Sequence, residues 1–175
     1  TGGTGKSPDG SAAPSSANGP GTKDDPFDPT TGAVQVKAGK YDPDPKATAD
    51  ISFKSVEWNV STETMKGGDR YSIYEEPPAG QSYVRVPVDI TYHGEGQFNK
   101  YNFEILYSHN GNTSKKKTVS YSDAGAFDNQ SMPRDGGTAS GYFVFVIDDA
   151  MQNDGNGVFV VKMSYSSEEV FVKAQ

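Results

Sequence analysis

Ten residues, Tyr83–Tyr92 (YVRVPVDITY), constrain this chain more than any other stretch. Val84, Val86, Val88, Ile90 and Tyr92 share one parity, and Arg85, Asp89 and Thr91 share the other. A period of two with one apolar side predicts a β-strand, buried on one face and wet on the other. A helix would scatter the same residues around its circumference. Pro87 falls on the wet side and cannot donate a ladder hydrogen bond, so the strand is expected to lie at an edge there or beside a bulge.

Similar patterns recur downstream. Residues 50–60 (DISFKSVEWNV) change phase, with Ile51 and Phe53 on one parity and Val56, Trp58 and Val60 on the other, which predicts a bulge or bend near Lys54–Ser55. Tyr101, Phe103, Ile105 and Tyr107 mark another strand face, and residues 117–121 (KTVSY) a weaker one. Tyr142–Ile147 and Val158–Met163 are apolar on both parities and predict central strands. The Asn153–Gly157 turn signal separates them, and residues 169–173 close the chain. Seven or eight short strands with no helical pattern predict an all-β sandwich or barrel. Two connections, 61–81 and 122–139, exceed what hairpins need; they suit Greek-key crossovers, and loops on a rigid scaffold are also where binding residues gather.

The first 32 residues differ in kind. Eight of the 20 glycines and seven of the 11 prolines fall in residues 1–45, and Phe27 is the only aromatic before residue 33. Such a tract buries too little apolar surface to offset its ordering entropy, so residues 1–32 are expected to form a disordered linker and residues 33–175 one domain. The tract also accounts for an apolar share of only 33%.

Charge and composition narrow the chemistry. The net charge is −7 and the only basic run is Lys115-Lys116-Lys117, so nucleic acid and anionic membrane are not expected partners. Without cysteine there can be no disulfide, cysteine nucleophile or cysteine-based zinc site. His93 and His109 lack the spacing of a zinc site, and no G-x-S-x-G elbow supports a hydrolase triad. Asp148, Asp149 and Asp154 lie in an Asp/Asn/Gly-rich turn, but the EF-hand frame fails there; a looser calcium site is the alternative to a polar hairpin turn. Gly5-Lys6-Ser7 mimics the end of a phosphate loop without its strand and helix. The strand carboxylates Glu57, Asp89 and Glu104 fall on wet parities and form no catalytic pair. The reading is therefore a chain that is not an enzyme and needs no cofactor. Tyr71, Tyr74, Phe127 and Arg134, all in the two long loops, are its candidate binding residues, and the three aromatics could stack on sugars.

In order, residues 54–60 (KSVEWNV), 82–93 (SYVRVPVDITYH), 101–111 (YNFEILYSHNG) and 136–147 (GGTASGYFVFVI) resemble a domain of unknown function carried by many Gram-positive lipoproteins. That domain is similar in fold to the secreted mycobacterial immunoprotective antigen. Tyr83–Thr91 match its first long strand, and Gly137, Gly141 and Phe145 match its later G-x-t-x-x-G-x-x-x-F element. Pro87 departs from the pattern. The resemblance implies an immunoglobulin-like antiparallel sandwich displayed on the cell surface, with no catalytic residues to carry over. It also implies a lipid-bearing cysteine upstream of Thr1 as the sole membrane attachment, with residues 1–32 as a leash reaching roughly 30 Å if flexible. The expected role is a non-catalytic extracellular module that binds an unknown protein or cell-envelope polymer. The alternative is a carbohydrate-binding module using the loop aromatics.

Overall fold

The alternation seen in the sequence becomes two antiparallel sheets packed face to face. The computed structural model describes residues 20–163 and 165–175. The strands are β1 (Val34–Lys37), β2 (Thr48–Phe53), β3 (Glu57–Val60), β4 (Gln81–His93), β5 (Glu104–His109), β6 (Asn112–Lys115), β7 (Thr138–Asp148), β8 (Gly157–Lys162) and β9 (Val170–Lys173). A five-residue helix, α1 (Thr62–Lys66), follows β3. The first sheet runs β1-β2-β4-β7, with β3 also paired to β4; the second runs β6-β5-β8-β9. The expected all-β sandwich is what the chain forms.

β4 holds the first sheet together, pairing with β7 along its length from Gln81↔Asp148 to Thr91↔Thr138. Its apolar parity, Val84 to Tyr92, faces the second sheet and is buried throughout. Phe143, Phe145 and Ile147 of β7 join it from one side, and Ile105, Tyr107, Phe159, Val161 and Val172 from the other. Rings carry much of the contact between layers: Phe53 stacks on Phe159 at 5.9 Å, and Phe103 on Phe143 at 5.7 Å. Offset and edge-on pairs of this kind add stabilisation beyond the area they bury.

Pro87 is accommodated as one of the two expected ways allows. β4 is an interior strand, but its neighbour is interrupted between Phe53 and Glu57, opposite the proline. The Pro87 carbonyl accepts from Lys54 N at 2.9 Å. In an antiparallel ladder the N–H of a residue points the same way as its carbonyl, so the missing donor faces a ladder that is already broken. The predicted bend at Lys54–Ser55 is this interruption.

Four expectations need correction. Tyr101 does not share the buried face of Phe103 and Ile105: β5 begins at Glu104, and Tyr101 is 86% exposed. Residues 117–121 are not a strand, because the chain leaves β6 at Lys115 and runs along the free edge of β7. There Lys117 N donates to Val144 O at 2.6 Å, and Tyr142 N donates to Gly125 O at 3.0 Å. That loop also explains why β7 is an edge strand rather than a central one: its second edge is blunted by irregular chain. The last correction concerns the domain boundary. Residues 20–32 are built into the body, since Phe27 exchanges hydrogen bonds with Phe171 and Lys173, and Phe171 N donates to Gly21 O at 2.7 Å. The Phe27 side chain packs against the core, so the boundary expected at residue 33 falls inside ordered structure. The rest of the expected linker, residues 1–19, lies outside the described residues.

The two-sided apolarity of β7 has its own cause. Tyr142, Val144 and Val146 face away from the second sheet, and the long 61–81 segment folds over them. Met65 of α1 and Tyr74 bury against Tyr83 and Val144 in a second, smaller core on the outer face of the first sheet. Ser61 starts this cover by capping α1, accepting from Thr64 N at 3.1 Å, and Gly67 ends the helix in the left-handed region.

Candidate functional site

The four residues picked from the sequence do not converge. Tyr71 is 59% exposed, with its hydroxyl accepting from Arg70 at 2.7 Å. Tyr74, three residues on, is fully buried, its ring edge-on to Tyr83 at 5.6 Å. Phe127 is also fully buried, wedged between Phe98 and Phe143. Arg134 is exposed and pairs through its backbone with Gln97, beyond the C-terminal end of β4. Tyr71 lies on the segment that leads into the other end of β4. Tyr74 and Phe127 are thus core residues and cannot stack on a sugar.

Tyr74 serves instead in a clasp built on Asp123. The Tyr74 hydroxyl donates to one carboxylate oxygen at 2.7 Å, while the Tyr142 hydroxyl and Gly125 N donate to the other. Asn129 ties the same turn to the carbonyls of Ser120 and Asp123. The Arg85 guanidinium lies over the Tyr142 ring at 4.8 Å and grips Glu57 with two hydrogen bonds. Burial first, and the Asp123 bond and charge next, push the Tyr142 hydroxyl up to about 12. Tyr74 is raised further, again with burial as the first cause.

Raised phenol values favour the neutral form in the folded chain. Their contribution to stability is therefore complete below about pH 10 and is lost as pH rises toward 12, worth at most about 3 kcal/mol for Tyr142. Melting temperature is expected to fall steeply across that window in the native chain and less steeply in Tyr142→Phe. Parallel curves for the two proteins would contradict the clasp.

The titratable groups considered for catalysis or metal binding are engaged locally. His93 meets Asp50 at 3.0 Å on the surface, where Gln35 also bonds the carboxylate. His109 is buried and meets Asp154 at 2.6 Å. That contact first, and the Asn156 N–H next, hold the Asp154 carboxyl below the usual range. Asp149 accepts from Ser82. Two of the three carboxylates of the looser calcium site are thus already partnered within the chain. Among the described residues no group of three His, Cys, Asp or Glu is disposed to hold a metal. Around Gly94, Asp44 and Asp135 spend their oxygens on the backbone N–H groups of Glu95 and Gly94.

A different region has the character of a binding site. A cleft of about 390 Å³ opens between the 97–103 connection and the 116–121 segment. Its walls carry Lys100, Lys116 and Lys117 with Tyr101 and Tyr121, the tyrosines 86% and 77% exposed. An Asn99 turn sets Tyr101 outward, its side chain accepting from Tyr101 N at 3.0 Å. Lys100 lies over the Tyr101 ring at 5.4 Å and donates to Asp128 O at 2.5 Å; Lys116 stands 3.5 Å from the Asp128 carboxylate. The other oxygen of that carboxylate is shielded from solvent and has no hydrogen-bond partner among the described residues. A second cleft of about 550 Å³ adjoins the first, sharing Tyr101, Phe103 and Lys116 and adding Lys115 and Leu106.

Sequence reasoning missed this site although its signals were present. The lysine run stood out, but only as too little for nucleic acid. Tyr101 and Tyr121 were absorbed into strands that the chain does not form at those positions.

No family model matches the chain, and no curated protein matches it. Three solved structures share its general form. One is an uncharacterized β-sandwich protein from Clostridium difficile 630, with a TM-score of 0.48 and 13% identity over 81% of this chain and 90% of that one. A candidate lipoprotein of Bacillus subtilis has a TM-score of 0.47 and 13% identity, over 81% of this chain and 37% of its own. A conserved hypothetical protein from Bacillus anthracis has a TM-score of 0.45 and 12% identity, over 82% and 98% of the two chains. None of the three is a mycobacterial antigen.

Proposed function

We propose that this chain is a non-catalytic binding module, displayed outside a Gram-positive cell on a lipid anchor, and that its ligand is taken up in the lysine–tyrosine cleft. The observation that carries the reading is the cleft itself: solvent-facing aromatics and clustered cations in a chain of net charge −7. Ligand sites are concave, with a few polar groups placed among apolar ones. The non-catalytic part of the reading is supported by the location of the histidines, since neither His93 nor His109 lines this cleft or its neighbour. Surface display rests on the lipoprotein resemblance read from the sequence and on the Gly/Ser/Pro-rich composition of residues 1–19, which suits a spacer.

Two measurements on the protein expressed from its complete gene in a Gram-positive host test this reading. Protease applied to intact cells is expected to remove the module, and purified module is expected to sediment with washed cell envelopes. Protection on intact cells would refute surface display. Failure to sediment would refute an envelope ligand.

A further inference from the structure

Resting on that reading, we infer that the cleft takes a phosphodiester-linked polymer of sugars or polyols, its phosphates met by Lys115 and Lys117 and its carbon faces by Tyr101 and Tyr121. Lys116 is paired with the Asp128 carboxylate, which offsets part of its charge, and Lys100 is tied down by donating to the Asp128 backbone carbonyl. Lys115 and Lys117 are exposed and form no ion pair among the described residues. They stand two residues apart, at most about 7 Å along the backbone. Lys115 lines one cleft, Lys117 the other, and Lys116 both, so cations border a continuous depression. An anion in that path gains two partners that the protein leaves unmatched.

The kind of cation narrows the ligand. Among the described residues no arginine lines either cleft. Guanidinium is the group for two-pronged recognition of planar carboxylates, whereas a lysine ammonium is a point charge on a flexible stem. Protein interfaces are also enriched in arginine and tryptophan and depleted in lysine. An acidic protein surface is therefore the poorer fit. The exposed rings supply what phosphate alone would not need: flat apolar faces for the C–H side of a sugar or polyol. Single-stranded nucleic acid would use stacking and cations too, but it needs a longer positive track, and the body of this protein is acidic.

The test is binding of the whole chain to labelled probes at low and physiological salt. The probes are a synthetic glycerol phosphate oligomer, hyaluronate, dextran, oligo-dT, poly-glutamate and phosphatidylglycerol vesicles. The glycerol phosphate oligomer is expected to bind best, and more weakly as salt rises. The double variant Lys115→Glu, Lys117→Glu is expected to lose at least tenfold in affinity, and Tyr121→Ala at least threefold. Lys37→Glu, exposed on β1 in the other sheet, should leave binding unchanged. All these side chains are exposed, so unchanged melting curves verify folding. Preference for any other probe, or indifference to the double substitution, overturns the inference. The two proposals fail separately. Envelope sedimentation that depends on the lysines while the phosphate oligomer does not bind sinks only the ligand class; envelope sedimentation unaffected by the lysine variant sinks the cleft as the site.

Discussion

Phe127→Ala should destabilise the fold by about 3–5 kcal/mol, as truncation of a fully buried phenylalanine does. Its ring has no exposed surface and sits 5.1 Å from Phe143 and 6.0 Å from Phe98. These neighbours belong to β7 and to the connection before β5, so the cavity would open where that connection and the 122–131 turn meet the main core. For a domain of this size the loss corresponds to a fall in melting temperature on the order of 10 °C. Tyr71→Ala and Tyr121→Ala, at exposed rings, should stay within about 0.5 kcal/mol of the native chain. Urea denaturation of the three variants makes the comparison. A Phe127→Ala protein as stable as the native one would mean that the ring is free to serve a ligand, as first read from the sequence.

Gly141→Ala is the second large effect. A methyl group there would stand 2.6 Å from the Phe127 Cα and 2.7 Å from its N, with the Ala126 carbonyl carbon at 3.1 Å. These are backbone atoms, so no rotamer change relieves the clash. Either β7 leaves its register with β4 or the 122–131 turn lifts away, carrying Phe127 with it. The expected cost is about 3 kcal/mol, at the upper end for overpacked sites. Because both substitutions spoil the same contact, Gly141→Ala and Phe127→Ala should cost less together than the sum of their separate effects. Full additivity in a double-mutant cycle would show that the glycine is required for some other reason.

Gly141 also shows how sequence and structure divide the explanation. In the sequence it belongs to a spaced pattern, Gly137, Gly141 and Phe145, recognisable without a cause. The cause lies in a turn that precedes β7 and crosses back against it. Phe145 was legible as buried because its run is apolar on both parities, but which sheet face it takes was not. The binding cleft fared worse. Tyr101 is two residues from Phe103 and Tyr121 two from Val119, so parity placed both tyrosines on strand faces. In the structure the strands stop short of them, and the rings that parity would bury point into solvent. The loop aromatics Tyr74 and Phe127 erred the opposite way, because loop residues can close over a sheet as well as project from it.

Alternation along the one-sided strands, with Tyr83–Tyr92 the clearest, decided by itself that this chain forms β-structure with one set of side chains shared between two layers. That much is local, since a period of two fixes which side chains share a face. Which face is then covered, by what, and which loop residues stay outside depend on contacts between segments far apart in sequence. Only the tertiary structure could bring the 61–81 segment onto β7, seat residues 21–27 beside β9, or place three lysines and two tyrosines around one opening.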